Sequence, residues 1–427
     1  MKVAEKDTGA WAWIPALYFT QGIPYIIVVV VSVIMYKRLG ISNADIGLYT
    51  SWLYLPWVIK PLWSPIVEIN GTKRKWFLGM QLLIALAFLG IGLFLPTNAF
   101  FTITLAFFWM AAIASATNDI ASDGYYMIGL SQKKQSFFIG LRSTFYRLAM
   151  VTAQGLLVIL AGYLEKEFGD NTKAWSLTMI CTAGLMFILT LTNYFVTPKF
   201  EDPKDENDEK PAKFSEVFIT FFQKKQIGIA ILFILLYRLG ESQLVKMASP
   251  FLLDEKNVGG LNLSTEAVGT IYGTVGIIML SLGGIVGGIL ISRDGLKKWM
   301  LPMLLSLNLP NVLYALLAYT KTQSLFAIVG TVVVEQFGYG FGFAAFLIFL
   351  IYIAEGVSKT SHYAIATGFM ALGMMLPGML SGYIQEWLGY PGFFTWVVVA
   401  AIPAFLLLPF LEYPPEFGKK SADSNES

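Results

Sequence analysis

Long apolar runs separated by short polar breaks recur along the whole chain. Most runs reach the ~20 residues that a helix needs to cross roughly 30 Å of hydrocarbon. Twelve spans are predicted, at 11–36, 43–67, 76–95, 100–128, 137–164, 174–197, 226–252, 265–292, 299–319, 324–353, 362–388 and 393–413. Membrane barrel strands would instead alternate apolar and polar positions in segments of about ten residues. The longest break runs from Pro198 to Lys213 and carries Glu201, Asp202, Asp205, Glu206, Asp208 and Glu209 among lysines and prolines. Such a segment cannot bury a core and reads as a mobile linker. The pattern predicts an all-α membrane protein with twelve transmembrane helices in two six-helix halves, 1–197 and 226–413. An acidic linker at 198–225 joins them, with an amphipathic helix expected at Phe214 to Phe222, and a tail follows at 414–427.

Composition agrees. Of 427 residues, 56% are hydrophobic and only 14% charged, with a mean hydropathy of +0.63, where a soluble domain averages about 25% charged. The net charge of +2 offers no footprint for nucleic acid. One cysteine, Cys181, and one histidine, His362, leave no material for a disulfide framework or a Cys/His metal site, and no metal or cofactor is expected. The first apolar run is too long for a cleaved leader and lacks a small-residue cleavage site, so it is read as a retained span. With the N-terminus inside, cytoplasmic segments hold nineteen Lys and Arg and the opposite loops six. That bias sets both termini in the cytoplasm.

Charge inside the spans changes the picture most. Ionised groups in a bilayer are costly and tend to face a bundle interior or a water-filled path. Asp119 and Asp123 stand four apart on span four and share a helix face. Arg142 and Arg147 follow on span five, after the Lys133-Lys134 loop. In an antiparallel pair, rises of about 6 Å and about 7.5 Å set Asp123 level with Arg142 and Asp119 level with Arg147, so two charge rungs are predicted. The two acids are candidates for proton coupling, the plain alternative being structural ion pairs. Lys60, between Pro56 and Pro61, is a candidate anion ligand, or a lysine snorkelling to the interface. Arg238 and Glu241 are spaced to pair on one face of span seven. Glu335, mid-span ten, must find a partner elsewhere or be protonated. Glu335 and Glu241 complete the proton-coupling candidates, while Lys246 is expected to snorkel.

Candidate substrate contacts are Lys60, Arg142 and Arg147 with Gln21, Asn118, Tyr146, Tyr126 and Trp63, since amides bond hydroxyls and aromatic faces stack on sugar rings. Each aromatic alone is as well explained by packing or by an interface belt. Glycines of spans eight and ten are read as close-packing positions, and Pro24, Pro56, Pro61, Pro310 and Pro377 as helix bends. Five cations against four acids inside the spans mildly favour an anionic solute.

The halves repeat. Gly71-Thr72-Lys73-Arg74-Lys75-Trp76 and Gly295-Leu296-Lys297-Lys298-Trp299 occupy matching places, as in transporters built from two like halves. Gly284-Ile285-Val286-Gly287-Gly288 with Ser292-Arg293-Asp294-Gly295-Leu296-Lys297-Lys298 resembles the loop signature of the major facilitator superfamily. That resemblance makes Glu68, Lys73, Arg74, Arg293 and Lys297 gating-loop candidates. Tyr18-Phe19-Thr20-Gln21-Gly22-Ile23-Pro24, Lys60-Pro61-Leu62-Trp63-Ser64-Pro65, Asn118-Asp119-Ile120-Ala121-Ser122-Asp123, Tyr146-Arg147 and the segment from Ser361 through Ala371-Leu372-Gly373 to Ser381-Gly382-Tyr383 are similar to AmpG-type muropeptide permeases and the related acetyl-CoA transporters.

What the resemblance implies is a secondary active transporter, a proton-coupled importer of an anhydro-muropeptide or amino-sugar saccharide across the bacterial inner membrane. Its expected partners are a small-molecule substrate, protons and the lipid bilayer, and the expected state is a monomer. Alternatives left open are another sugar, an organic anion such as an acyl-CoA, or a passive facilitator. An enzyme is not expected, because no His-metal cluster, nucleophile elbow or nucleotide loop is visible.

Overall fold

The computed structural model describes residues 9–130, 132–199, 214–356 and 359–419. The acidic run from Glu201 to Glu209 and the end of the tail lie outside the described residues, as does the side chain of Glu68. Every regular element among them is helical. Among the described residues, ten helices are long and apolar enough to cross a membrane, and the difference from twelve has two local causes. Span two is broken into short pieces, Asn43–Trp52, Leu55–Ile59 and Ser64–Ile69, with a tight 3-10 turn at Lys60–Leu62. Pro56 and Pro61 lie at these breaks, where each removes a helical N–H and crowds the preceding turn. Spans eleven and twelve, conversely, run together as Ser361–Phe410, turning at Gly389, whose φ of 66° and ψ of 170° are not helical.

Two other expected bend sites, Pro24 and Pro310, show helix irregularities, whereas Pro377 lies within the helix Lys359–Ala400, whose non-helical residue is Gly389. Pro24 sits just ahead of a π-helical stretch, Ile27–Val31, a common way for a helix to absorb a local defect. Pro310 divides span nine into Leu296–Asn308 and Asn311–Thr320. A short helix occupies Phe214–Phe222. The two Gly turns match in detail: Gly71 and Gly295 have φ of 73° and 87°, a region that favours glycine. An indole closes each, Trp76 donating to the carbonyl of Asn70 and Trp299 to Asp294 Oδ2 at 2.9 Å.

The helices form two compact units. The first comprises 9–41, 53–199 and 264–274. Its aromatic core sets Trp13 edge-on to Tyr125, with Phe77 and Tyr18 buried beside them. A fully buried amide network links spans one, three, four and six: Asn193 Nδ2 donates to Thr20 Oγ1 at 2.9 Å and to Gln81 Oε1 at 3.1 Å, and Gln81 Nε2 to Asn118 Oδ1 at 3.2 Å. Such bonds join helices where lipid offers no hydrophobic drive. Glu165 is likewise saturated, accepting from Trp175 Nε1 at 2.8 Å and Thr265 Oγ1 at 2.6 Å and pairing with Arg38 at 3.1 Å.

The second unit comprises 42–52, 214–263 and 275–419. Its core surrounds Phe233, Tyr237, Phe346 and Phe349, with the Tyr237 and Phe346 rings stacked at 4.5 Å. Glycines let backbones meet here as expected. A Cβ at Gly340 would stand 1.9 Å from the carbonyl oxygen of Leu280, and one at Gly283 would stand 2.1 Å from that of Phe337. Lys246 overturns its expectation. It is buried and donates to Thr50 Oγ1 at 2.9 Å instead of snorkelling, because the short Asn43–Trp52 helix places a hydroxyl beside it.

Candidate functional site

Within the first unit, polar side chains from four spans gather around Asp119. Gln21 Nε2, on span one, donates to Asp119 Oδ1 at 2.8 Å, and Trp57 Nε1, on broken span two, donates to Oδ2 at 3.1 Å. Lys60, three residues beyond Trp57, lies within direct Coulomb reach of the same carboxylate without closing to an ion pair. Tyr146 from span five reaches it electrostatically as well. Tyr25, one turn from Gln21, sets its ring edge-on to Trp57 at 5.2 Å. Close approach of spans one and five permits this: a Cβ at Gly22 would come within 2.7 Å of Ala149 Cβ.

One predicted charge rung is present. Arg142 Nη2 and Asp123 Oδ1 are 2.8 Å apart, both partly exposed. Tyr18 OH donates to the same Asp123 oxygen at 3.2 Å, and the guanidinium lies over the Tyr18 ring at 4.4 Å and the Tyr126 ring at 5.7 Å. A cation over an aromatic face gains roughly 0.5–2 kcal/mol, so this arginine is held by more than its carboxylate.

The second rung does not form. Asp119 bonds Gln21 and Trp57, and among the described residues Arg147 has no ion pair, its Nη1 being buried without a hydrogen-bond partner. Helical geometry gives the reason. At about 100° per residue, the step of four from Asp119 to Asp123 returns almost to one face, whereas the step of five from Arg142 to Arg147 turns Arg147 some 140° away from Arg142. Rise alone had matched their heights.

Other candidates lie apart from Asp119 or in packing roles. Asn118 is fully buried in the amide network. Tyr126 donates to the carbonyl of Gln135, and Trp63 Nε1 to Thr117 Oγ1 at 3.2 Å. Of the loop candidates, Lys73 donates to the carbonyl of Val67 at 2.9 Å, and Arg74 bonds Thr197 at 3.0 Å while covering the Tyr194 ring. Arg293 pairs with Asp294 at 2.9 Å, and Lys297 is exposed.

In the second unit the expected Arg238–Glu241 pair is absent. Arg238 caps the helix Leu239–Leu253 with a non-helical φ of −116°, and its guanidinium is turned to span ten and not to Glu241. Arg238 instead bonds the Tyr339 hydroxyl and lies 4.8 Å from that ring's centre and 5.0 Å from that of Phe343. Glu335 accepts from Gln336 Nε2 at 3.0 Å and from Tyr314 OH at 3.4 Å.

Trp57 and Tyr18 are the contacts that the sequence reading did not single out for the site. Trp57 shares the proline-framed turn with Lys60, and Tyr18 stands three residues before Gln21, so both were within reach of a face argument. Removing the indole donor in Trp57→Phe is expected to weaken transport by roughly tenfold, the value of one hydrogen bond to a charged group at about 1.5 kcal/mol. Initial uptake rates at equal protein density measure it.

A family model described as "Major Facilitator Superfamily" matches residues 16–359. Over 406 residues the chain is 26% identical to the anhydromuropeptide permease of Escherichia coli K12, covering 92% of this chain and 77% of that protein. Among solved structures, a D-xylose-proton symporter superposes with a TM-score of 0.75 at 11% identity, covering 96% of this chain and 99% of the other. The nucleoside transporter NupG superposes at 0.68 and 17% identity, covering 96% and 98%. With helices throughout, a polar cluster buried among spans and a family match over most of its length, this chain belongs to the major facilitator superfamily and is a multi-pass membrane transporter.

Proposed function

We propose that the protein is a proton-driven importer of an anhydro-muropeptide or a related amino-sugar saccharide, working by alternating access in a bacterial inner membrane with both termini cytoplasmic. The observation that carries the coupling is the setting of Asp119. Its oxygens meet neutral donors, Gln21 and Trp57, and a lysine at a distance, with no arginine locked onto it. A carboxylate clamped by arginine resists protonation. Asp119 is therefore the acid of the first unit able to exchange a proton during a cycle, and Asp123, bound to Arg142, serves to hold spans four and five.

The substrate class is supported by similarity to the anhydromuropeptide permease and by the residues beside Asp119. Lys60 offers a cation to a lactyl or peptide carboxylate, and Trp57 and Tyr25 offer ring faces to a pyranose. The test is uptake of labelled anhydro-disaccharide into proteoliposomes under an imposed proton gradient. Accumulation should collapse when a protonophore is added, and unlabelled anhydro-muropeptide should compete. A rate indifferent to the protonophore would replace symport with facilitated diffusion, and competition by unrelated anions alone would replace the substrate.

A further inference from the structure

Span twelve stops being helical at Phe410, and the chain then runs back across the ends of other spans of the second unit. Residues 411–413 form a fixed root. Leu411 and Tyr413 are buried in the aromatic core, with the Tyr413 ring edge-on to Phe349 at 5.9 Å. Glu412, between them, is tied to spans seven and ten. Its carboxylate pairs with Lys225 at 2.7 Å, its amide donates to Gln226 Oε1 at 3.3 Å, and its carbonyl accepts from Tyr352 OH at 3.2 Å.

Residues 414–418 are held differently. Phe417 is half-buried and the other four are exposed, and they fold as a turn of their own, Phe417 N donating to the carbonyl of Pro414 at 3.1 Å. The turn sits on Gly295, between spans eight and nine. Helix starts leave orphan N–H groups, and no side chain caps the helix Leu296–Asn308. The tail supplies that cap, as Leu296 N donates to the carbonyl of Phe417 at 2.8 Å. The Phe417 ring stands edge-on to Tyr352 at 5.2 Å. A Cβ at Gly295 would strike the carbonyl oxygen of Pro415, and one at Gly418 would lie 2.9 Å from Ile291 Cγ2.

The first unit repeats the tie. Arg74, beside the Gly71 turn, donates to the carbonyl of Thr197 at 3.0 Å, and Tyr125 OH to that of Pro198 at 2.7 Å. In each unit the chain leaving the sixth span of its half is fastened to the Gly turn and to a tyrosine near the end of the fourth. What differs in the second is the light hold on 414–418 beside a root sunk in the core. Freeing the cap breaks an amide–carbonyl bond that water can replace, so its net cost is small.

We infer that residues 414–418 are a hinged flap. Seated, it caps span nine and fastens the Gly295 turn to span ten; it lifts about its buried root when spans eight and nine shift during transport. That use rests on the proposed transport reading, whereas the lifting does not.

Two measurements test it, both in the Cys181→Ser background, which removes the one native cysteine. Ile291→Cys sets a thiol under the flap, at a position 1% exposed, where a charged maleimide reaches it as the flap lifts. Adding Phe417→Ala should speed labelling in lipid nanodiscs roughly tenfold, and equal rates in the two monodisperse proteins would overturn the flap. Ile291→Cys with Gly418→Cys then pins it. The first change removes the Cγ2 that a side chain at 418 would meet, and the contact distance suits a disulfide, whose Cβ atoms stand about 3.5–4.5 Å apart. Oxidation should cut uptake of labelled anhydro-disaccharide into proteoliposomes at least tenfold, with recovery in dithiothreitol. Gly418→Cys alone, which carries the strain of a φ of 82°, should not respond to oxidant. Full uptake by the oxidised pair, or an equal response of the single variant, would overturn the flap's part in transport. Reduced protein that takes up nothing counts against the transport reading alone, and the labelling still decides whether the flap lifts.

Discussion

Asp119→Asn protein folds, reaches the membrane and exchanges substrate across it, yet accumulates none against a gradient. That is the expected result, because asparagine keeps the shape and one acceptor oxygen while removing the charge and the exchangeable proton. Gln21 Nε2 at 2.8 Å and Trp57 Nε1 at 3.1 Å then face a neutral group. With no proton to move down its gradient, accumulation should fall to the level of protein-free liposomes. Counterflow between equal proton concentrations, which needs no net proton movement, should fall far less. Equal loss in both assays would make Asp119 a binding residue only, and full accumulation would remove it from the mechanism.

A larger structural effect is expected at Gly340. Span ten crosses span eight so closely that a Cβ there would lie 1.9 Å from the Leu280 oxygen and 2.8 Å from its carbonyl carbon. Both are backbone atoms that no rotamer change can move aside. Overpacking usually costs about 1–3 kcal/mol and more where the backbone itself must shift, against a total stability of about 5–15 kcal/mol. Gly340→Leu should therefore yield little or no monodisperse protein on gel filtration. Gly288→Leu, on the neighbouring span eight, is the internal control. No heavy atom lies within 4 Å of a Cβ there, and the variant should elute as wild type. Matching behaviour of the two would show that the close crossing does not limit folding.

Hydrophobic run length carried the fold, because a bilayer admits few alternatives to helices whose backbone bonds close internally. Apolar length also found the glycine crossings, since small residues in a span have few other uses. Side-chain direction was harder to read. The Asp123–Arg142 pair follows from antiparallel neighbours, but Arg147 was placed by height without its rotation. Arg238 and Glu241 were paired on an unbroken helix that the chain does not make. Lys246 was assigned to the interface because sequence order cannot show that Thr50, 196 residues away, lies against it. The centre around Asp119 draws on residues from Gln21 to Tyr146. Only their packing, set by Gly22 and the broken second span, reveals that Trp57 points to the carboxylate.

The partition of the chain bears on how the protein can be divided. Residues 42–52 cluster with the second unit and 264–274 with the first, so each compact body is completed by a piece encoded in the opposite half of the polypeptide. A gene severed in the acidic linker would give two fragments, neither holding every segment of its own unit. Only co-synthesis of both would restore a whole, and a split reporter fused to the cut ends would light up in proportion to that mutual completion.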